Sequence, residues 1–254
     1  MDKLHIGTMG WSYDFWVGNF YPEGLAPEKF LSEYSKHFNT VEVDRTFYGL
    51  PFKETILKWK DQIPEDFIFS VKFPRLITHE KMLKNCEEDV KRFIARISLL
   101  QGKLGPLLVQ LPSKFKPDNI PQLEDFLTKL PKGFHFVVEL RNKKLLQDEV
   151  YVILKKNGVA LALVDHPFMP DIEQITADFV YVRFEGDRRK VKGTLGRVEI
   201  DKTNDVRRWA EKIRKFLDHS AEVFGYFSKY YSGNPPTDAK QLLGFLSYLT
   251  RQEA

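Results

Sequence analysis

The chain has 254 residues, 43% of them hydrophobic, and a net charge of +4 from 39 Lys and Arg against 35 Asp and Glu. With 21 Phe and 10 Tyr it is too apolar to be disordered, and apolar runs such as Val159 to Val164 are too short to span a bilayer. The mild basic excess permits a phosphate-bearing partner without requiring one, and the single cysteine, Cys86, excludes an internal disulfide and a zinc site built on several cysteines.

Eight apolar runs have strand character, and several are continuous enough for strands buried on both faces of a parallel sheet. In chain order they are Leu4 to Thr8, Thr40 to Asp44, Phe67 to Phe73, Pro106 to Leu111, Phe134 to Leu140, Val159 to Asp165, Phe179 to Phe184 and Val223 to Phe227.

Stretches with the helical period separate these runs. One apolar stripe begins at Phe30, and others begin at Val90, Leu123 and Trp209. Asn157-Gly158 resembles a left-handed helix cap before the sixth strand. The segment Ala239 to Leu249 predicts a closing helix.

This alternation over about 250 residues predicts a TIM-type (β/α)8 barrel, and we expect a single domain over residues 1–254. The segment His166 to Asp178 carries two prolines and a short helical pattern, so the helix between strands 6 and 7 should be reduced or missing. An open doubly wound sheet is the alternative, but no glycine-rich dinucleotide loop follows the first strand. The N-terminus lacks the apolar stretch of a signal peptide, so a cytoplasmic location with no membrane partner is the expectation.

In such barrels the chemistry takes place at the carboxyl ends of the strands, which form the barrel mouth. Polar side chains at the predicted ends could act as acids or bases, hold an anion, or stack on a ring. The candidate catalytic residues are Glu42, Glu139, His79 and Asp165. The candidate substrate-binding residues are Trp11, Tyr13, Tyr48, Lys72, Gln110, Arg141 and Arg183.

Each of these readings has a structural alternative. Glu139 with Arg141 or Arg183 could be a buried ion pair. The acids could ligate a divalent metal with His79, although no metal-binding motif is present and no cofactor can be named. The basic run from Asp187 to Gly193 follows strand 7, where TIM barrels often bind phosphate, but it could be a solvated surface.

Several motifs, taken together and in order, resemble the YecE-like family, a domain of unknown function (number seventy-two). The first motif, Gly7-Thr8-Met9-Gly10-Trp11-Ser12-Tyr13, resembles the opening signature of that family. The later signatures are matched in order by Phe38-Asn39-Thr40-Val41-Glu42-Val43-Asp44, Phe69-Ser70-Val71-Lys72, Leu104 through Pro112 and Glu139-Leu140-Arg141. The resemblance covers nearly the whole chain. It implies a TIM-type barrel and supplies no reaction.

Four positions depart from the pattern of that family. Asp44 and Arg45 stand where Asn and Ser are usual, and Phe227-Ser228-Lys229 stands where Phe-Asn-Asn is usual. Two amides that could bind a ligand at the end of strand 8 are therefore replaced.

Three functions remain open from the sequence. The first is a hydrolase, such as a metal-dependent phosphodiesterase or nuclease, acting on a nucleic acid or a sugar phosphate. The second is a non-catalytic protein that binds an anion or a nucleic acid, and the third is a carbohydrate-active hydrolase with a carboxylate pair. The oligomeric state is not indicated by the sequence.

Overall fold

Eight parallel strands form one sheet in the computed structural model, which describes residues 3–219 and 221–252. Every predicted strand is present, with ends that move by at most two residues. The strands are β1 (Leu4–Thr8), β2 (Thr40–Val43), β3 (Ile68–Lys72), β4 (Leu104–Gln110), β5 (Phe136–Glu139), β6 (Ala160–Asp165), β7 (Phe179–Phe184) and β8 (Glu222–Phe227).

Helices connect the strands and surround the sheet. They are α1 (Phe30–Tyr34), α2 (Lys53–Asp61), α3 (Glu87–Ile97), α4 (Ile120–Thr128), α5 (Asp148–Lys156), α6 (Thr203–Asp218) and α7 (Pro235–Gln252). Residues 166–178, between β6 and β7, contain no helix, as their prolines predicted. This loop is held instead by the Thr176 hydroxyl, which donates to Val159 O and accepts from Leu161 N, each at 2.7 Å.

The order of the strands is that of a TIM-type (β/α)8 barrel, running β1-β8-β7-β6-β5-β4-β3-β2, with β1 and β2 brought together along a seam. At the mouth Gly10 N donates to Glu42 O at 2.8 Å. Farther down, the Tyr34 hydroxyl lies between the strands, accepting from Thr8 N at 2.9 Å and donating to Thr40 O at 3.0 Å. A Cβ on Gly7 would lie 2.2 Å from Thr40 O, so only glycine fits this close approach.

Two apolar layers follow from the alternation of each strand. The larger packs the outer faces of the strands against the helices and includes the buried Trp209 of α6. The smaller lies inside the barrel and includes Leu108, Val137 and Phe179. None of the helices among the described residues is long and apolar enough to cross a membrane.

The middle of the barrel interior is lined by polar side chains that contact one another and the backbone. Tyr181 OH lies 2.6 Å from Ser70 Oγ, and Tyr226 OH lies 2.7 Å from Thr40 Oγ1. Ser70 and Thr40 in turn donate to backbone carbonyls. This layer supports the charged residues above it, at the mouth.

Candidate functional site

A buried arginine organises the carboxylates at the mouth of the barrel. Arg183 of β7 is 1% exposed. Its Nε and one terminal nitrogen donate to Glu42 of β2 at 3.0 and 2.7 Å, a bidentate pair. Its other terminal nitrogen donates to both Glu139 of β5 and Glu185, which follows β7. One guanidinium on β7 therefore links β2 and β5, which are not neighbours in the barrel.

A second arginine extends this cluster toward the surface. Arg141, half-buried after β5, forms ion pairs with Glu139 and with Glu185. Gln110 of β4 donates to both oxygens of Glu139 at 3.1 Å. The ion pair suggested by the sequence for Glu139 is therefore present with both arginines.

The two central carboxylates have opposite protonation tendencies. Burial raises the pKa of Glu42 above its ordinary value, and the attraction of Arg183 does not fully offset this. Burial acts in the same direction on Glu139, but Arg141 and Arg183 together outweigh it and lower the pKa of Glu139 to about 2. Glu139 is therefore the firmly ionised member of the pair.

A lysine and an aspartate lie beside this cluster. Lys72, at the end of β3, has its ammonium 3.4 Å from Asp44 Oδ1 and 4.5 Å from the centre of the Phe47 ring. Thr46 fixes the turn by donating to Lys72 O at 2.6 Å. Asp44 is the departure from the family pattern that the sequence indicated, and the structure places it against Lys72.

A cavity of about 320 Å³ opens on the barrel axis above the cluster. Its walls carry the rings of Tyr13, Tyr48 and Tyr230 and the cations Arg188 and Lys229. Arg188 lies 4.7 Å from the Tyr230 ring centre and Lys229 lies 5.6 Å from that of Tyr13. No carboxylate of the described residues lies within 4.0 Å of the charged group of Arg188 or Lys229.

A larger cavity of about 800 Å³ adjoins it over the ends of β4 to β7. Gln110 and Arg188 line both cavities, so the two lie side by side. The larger one is bordered by Arg141, Lys143, Arg189, His79, His166 and the ring of Phe168. Its one carboxylate, Asp187, is paired with Arg189 at 3.1 Å.

His79 reaches this cavity from an irregular turn after β3. Residues Leu76–Glu80 form a π-helical turn, and Met82, Leu83 and Asn85 then adopt positive φ angles of 53°, 70° and 47°. Such conformations cost energy for residues other than glycine and are common at functional sites. Burial, together with Lys72 and Arg75, lowers the pKa of His79 to about 4, so its ring is neutral at pH 7.

Two predicted site residues lie outside both the cluster and the two cavities above it. Asp165, at the end of β6, points toward α6, where its Oδ2 accepts from Trp209 Nε1 at 2.8 Å and from Tyr231 OH at 2.9 Å. Trp11 packs edge-on against Trp59 at 5.3 Å in a side cleft between the loops after β1 and β2. The cluster thus contains Glu42, Glu139, Gln110, Arg141 and Arg183. His79, Lys72, Tyr13 and Tyr48 line the adjoining cavities.

The basic loop after β7 is held firmly in place. Two successive amides, Lys192 N and Gly193 N, donate to the Glu199 carboxylate at 2.9 and 2.7 Å. This turn could have held a phosphate, but Glu199 occupies it. Arg188 is therefore the residue of this loop that contributes an unpaired cation to the axial cavity.

A metal site is not formed by the side chains that the sequence suggested. Among residues 3–219 and 221–252, no three His, Cys, Asp or Glu side chains are grouped as they would be to hold a metal ion. His79 Nδ1 is instead 2.9 Å from Thr78 Oγ1.

Sequence reasoning left two members of the interior out of the candidate site. Tyr181 donates to Glu42 at 2.6 Å, and Glu185 bridges both arginines. The signal was available, because Tyr181, Arg183 and Glu185 stand two apart and alternation places them on one face. Lys229 stands where the family usually has Asn, and the sequence indicated only the loss of that amide. The structure shows that Lys229 also adds a cation to the mouth.

The family model described as "Protein of unknown function DUF72" matches residues 5–253. The chain belongs to the DUF72 family. The UPF0759 protein YecE of Escherichia coli is 39% identical over 139 residues, which are 55% of this chain and 48% of YecE. The match thus spans about half the length of that relative. The UPF0759 protein YunF of Bacillus subtilis is 25% identical over 96% of this chain and 94% of its own length.

A solved DUF72 protein has the same fold. The crystal structure of TM1631 from Thermotoga maritima superposes with a TM-score of 0.76 at 26% identity, covering 97% of this chain and 99% of the other. The resemblance inferred from the motifs is confirmed, and so is the barrel. Neither the family description nor these names states an activity.

Proposed function

We propose that this DUF72 protein binds a phosphate-bearing ligand, a nucleic acid or a phosphorylated small molecule, at the C-terminal mouth of its barrel. The observation that carries the proposal is the division of charge at the mouth. Glu42, Glu139 and Glu185 are nearly or fully buried and each is ion-paired. Arg188 and Lys229 face the axial cavity and have no carboxylate partner among the described residues.

The ligand would therefore meet cations first and acids last. Lys72 supplies a third cation, at the cavity wall beside Asp44. A phosphate group between these cations would make charge-assisted hydrogen bonds, which are stronger than neutral ones. The tyrosine rings of Tyr13, Tyr48 and Tyr230 offer faces for the rest of the ligand.

The direct test is calorimetric titration with matched ligand pairs. Each pair consists of a nucleoside and its 5′-phosphate, or of a hexose and its 6-phosphate. We expect binding by the phosphorylated member of at least one pair and at least tenfold weaker binding by the other member. Equal affinity within every pair, or no binding at all, would contradict the proposal.

A second candidate function is hydrolysis of that ligand, favoured by the strained turn that presents His79. In this reaction the neutral imidazole takes a proton from water, the water oxygen attacks phosphorus, and the bond to the leaving oxygen breaks. Thr78 Oγ1 donates to Pro74 O at 3.3 Å, so Nδ1–H is the donor to Thr78 in the tautomer that leaves Nε2 free to act as base. Glu42 and Glu139 are less suited to this role because Arg183 contacts both.

Release of labelled product from DNA, RNA and bis(p-nitrophenyl) phosphate would test hydrolysis, with Mg²⁺, Mn²⁺ or Zn²⁺ and with chelator. We expect His79→Gln to abolish turnover and to leave ligand affinity within about twofold. Unchanged turnover in His79→Gln would remove His79 from the mechanism. Absence of turnover in the wild type would leave binding as the function.

The geometry does not support the hypothesis of a carbohydrate-active hydrolase with a carboxylate pair. A glycosidase needs space for the sugar between its two carboxyl groups. Here the guanidinium of Arg183 bonds to Glu42 and to Glu139 and stands between them.

A further inference from the structure

Three adjoining cavities at the mouth, together called the groove, offer more room than a single phosphorylated small molecule requires. The axial cavity shares Gln110 and Arg188 with the larger cavity over β4 to β7. It also shares Tyr13, Asp44 and Tyr48 with a side cleft of about 590 Å³ between the loops after β1 and β2. The axial cavity, the larger cavity and the side cleft have volumes of about 320, 800 and 590 Å³. A typical small-molecule site is a single cavity of about 300–1,000 Å³, so the three together exceed that range.

Aromatic rings stand exposed on both sides of the axial cavity. Tyr48 is 82% exposed where the axial cavity meets the side cleft. Phe168 is 55% exposed at the far side, in the helix-free loop after β6. Large rings left in water at both ends of a polar groove are available to stack on flat ligand groups.

Cations line the path between these rings. Arg188 and Lys229 stand at the axis, and Lys143 stands on the border of the larger cavity, without a carboxylate within 4.0 Å among the described residues. The guanidinium of Arg189 lies 4.2 Å from the Phe168 ring centre, next to the stacked pair of Arg188 and Tyr230. Burial lowers the pKa of His166, as it does that of His79, so both histidines offer neutral rings rather than charges near pH 7.

We infer that this groove binds a single-stranded nucleic acid, with its phosphates along the cations and unpaired bases against Tyr48 and Phe168. A cationic groove with interleaved aromatic rings is the arrangement that recognises single strands, because every base has a face that can stack. A duplex hides those faces, and the concave mouth admits only what can enter between the loops. The inference rests on the proposed function, since it names the polymer whose phosphates the mouth would hold.

The test is fluorescence anisotropy with 5′-labelled oligothymidylate and oligouridylate of one, three, six and twelve nucleotides. We expect affinity to rise at least tenfold from one nucleotide to six, with either sugar, and to level off beyond the length of the groove. The sugar that binds more tightly then distinguishes DNA from RNA as the source.

Two variants separate stacking from charge. Tyr48→Ala combined with Phe168→Ala should weaken hexamer binding about tenfold or more. Phe168→Ala alone, a change outside the axial cavity, should leave the affinity for the mononucleotide within about twofold. Phe52→Ala is the matched control, because Phe52 is 78% exposed but lies outside the residues that line the three cavities. Its affinity for the hexamer should equal that of the wild type.

Inorganic polyphosphate and a duplex of equal length complete the design. Binding of the hexamer that is no tighter than that of the mononucleotide would overturn the inference while leaving the proposed function in place. So would equal affinity for the duplex, or a hexamer affinity that the paired alanine variant does not change. No binding of any phosphate-bearing probe would overturn both proposals.

Discussion

Glu42 and Glu139 contact the same arginine, but they do not contribute equally to stability. The pKa of Glu42 is raised by burial, whereas the pKa of Glu139 is lowered to about 2 because two arginines outweigh its burial. Glutamine resembles a protonated glutamate, so it should replace Glu42 with less disturbance. We expect Glu139→Gln to lower the free energy of unfolding by about 3 kcal/mol, and Glu42→Gln to lower it by less than half of that.

Urea denaturation at pH 7 measures both variants. The opposite ranking would contradict this assignment of charge. The result also bears on assays of function, because Glu139→Gln was the obvious test of catalysis from the sequence. Loss of activity in that variant would reflect loss of the fold as much as loss of a base.

The pH dependence of stability follows from the same shift. The pKa of Glu139 falls from an ordinary value of 4.5 to about 2 on folding. Its contribution is therefore fully present above about pH 4.5 and is lost as pH falls toward 2, because the unfolded chain takes up the proton first. The difference in unfolding free energy between the wild type and Glu139→Gln should shrink over this range. If this difference in unfolding free energy stays constant from pH 6 to pH 3, the lowered pKa of Glu139 is wrong.

At the scale of single elements, α1 closes the barrel through one hydroxyl. Tyr34 is fully buried, and its hydroxyl joins Thr8 N of β1 to Thr40 O of β2. Tyr34→Phe leaves a buried donor and a buried acceptor without their partner, which should cost about 2 kcal/mol. Tyr48→Phe, a change in an exposed ring, is the control and should leave the melting temperature unchanged. Equal melting temperatures for the two variants would show that the seam does not depend on this hydroxyl.

The loop after β7 depends on a close contact with the loop after β8. Gly186 has φ +70°, and a Cβ there would lie 2.0 Å from Tyr230 O. Gly24 has the same φ with nothing within 4 Å of a Cβ, so Gly24→Ala measures the backbone strain alone, about 1 kcal/mol. We expect Gly186→Ala to cost clearly more in thermal denaturation and to weaken ligand binding by displacing Arg188. Equal losses of stability would mean that the two loops yield easily.

At the scale of the whole molecule, the sequence was sufficient to predict the barrel. Apolar runs marked every strand, and several of them, such as Val159 to Val164, are continuous because parallel strands are buried on both faces. The prolines after His166 marked the missing helix. These features are local, and each is visible in a short stretch of chain.

The partners within the site could be predicted only in part. The sequence placed Glu42, Glu139 and Arg183 at the mouth. It did not predict that both glutamates contact Arg183, because pairing across the barrel depends on the register of several strands. Asp165 looked equivalent to Glu139, yet it turns outward to Trp209. Glu139 and Asp165 are both the last residue of a strand. Alternate residues point to opposite faces of the sheet, so the register of each strand decides whether its last side chain points into the barrel or toward the helices.

The central claim is that unpaired cations at the mouth hold a phosphate group. The most direct measurement is the calorimetric dissociation constant of the tightest-binding phosphorylated ligand for Arg188→Gln combined with Lys229→Gln. Lys155→Gln, on the exposed face of α5, is the control for a general loss of charge. We predict at least tenfold weaker binding by the double variant and a change of less than twofold in the control. Equal affinities in the wild type and the double variant would contradict the claim.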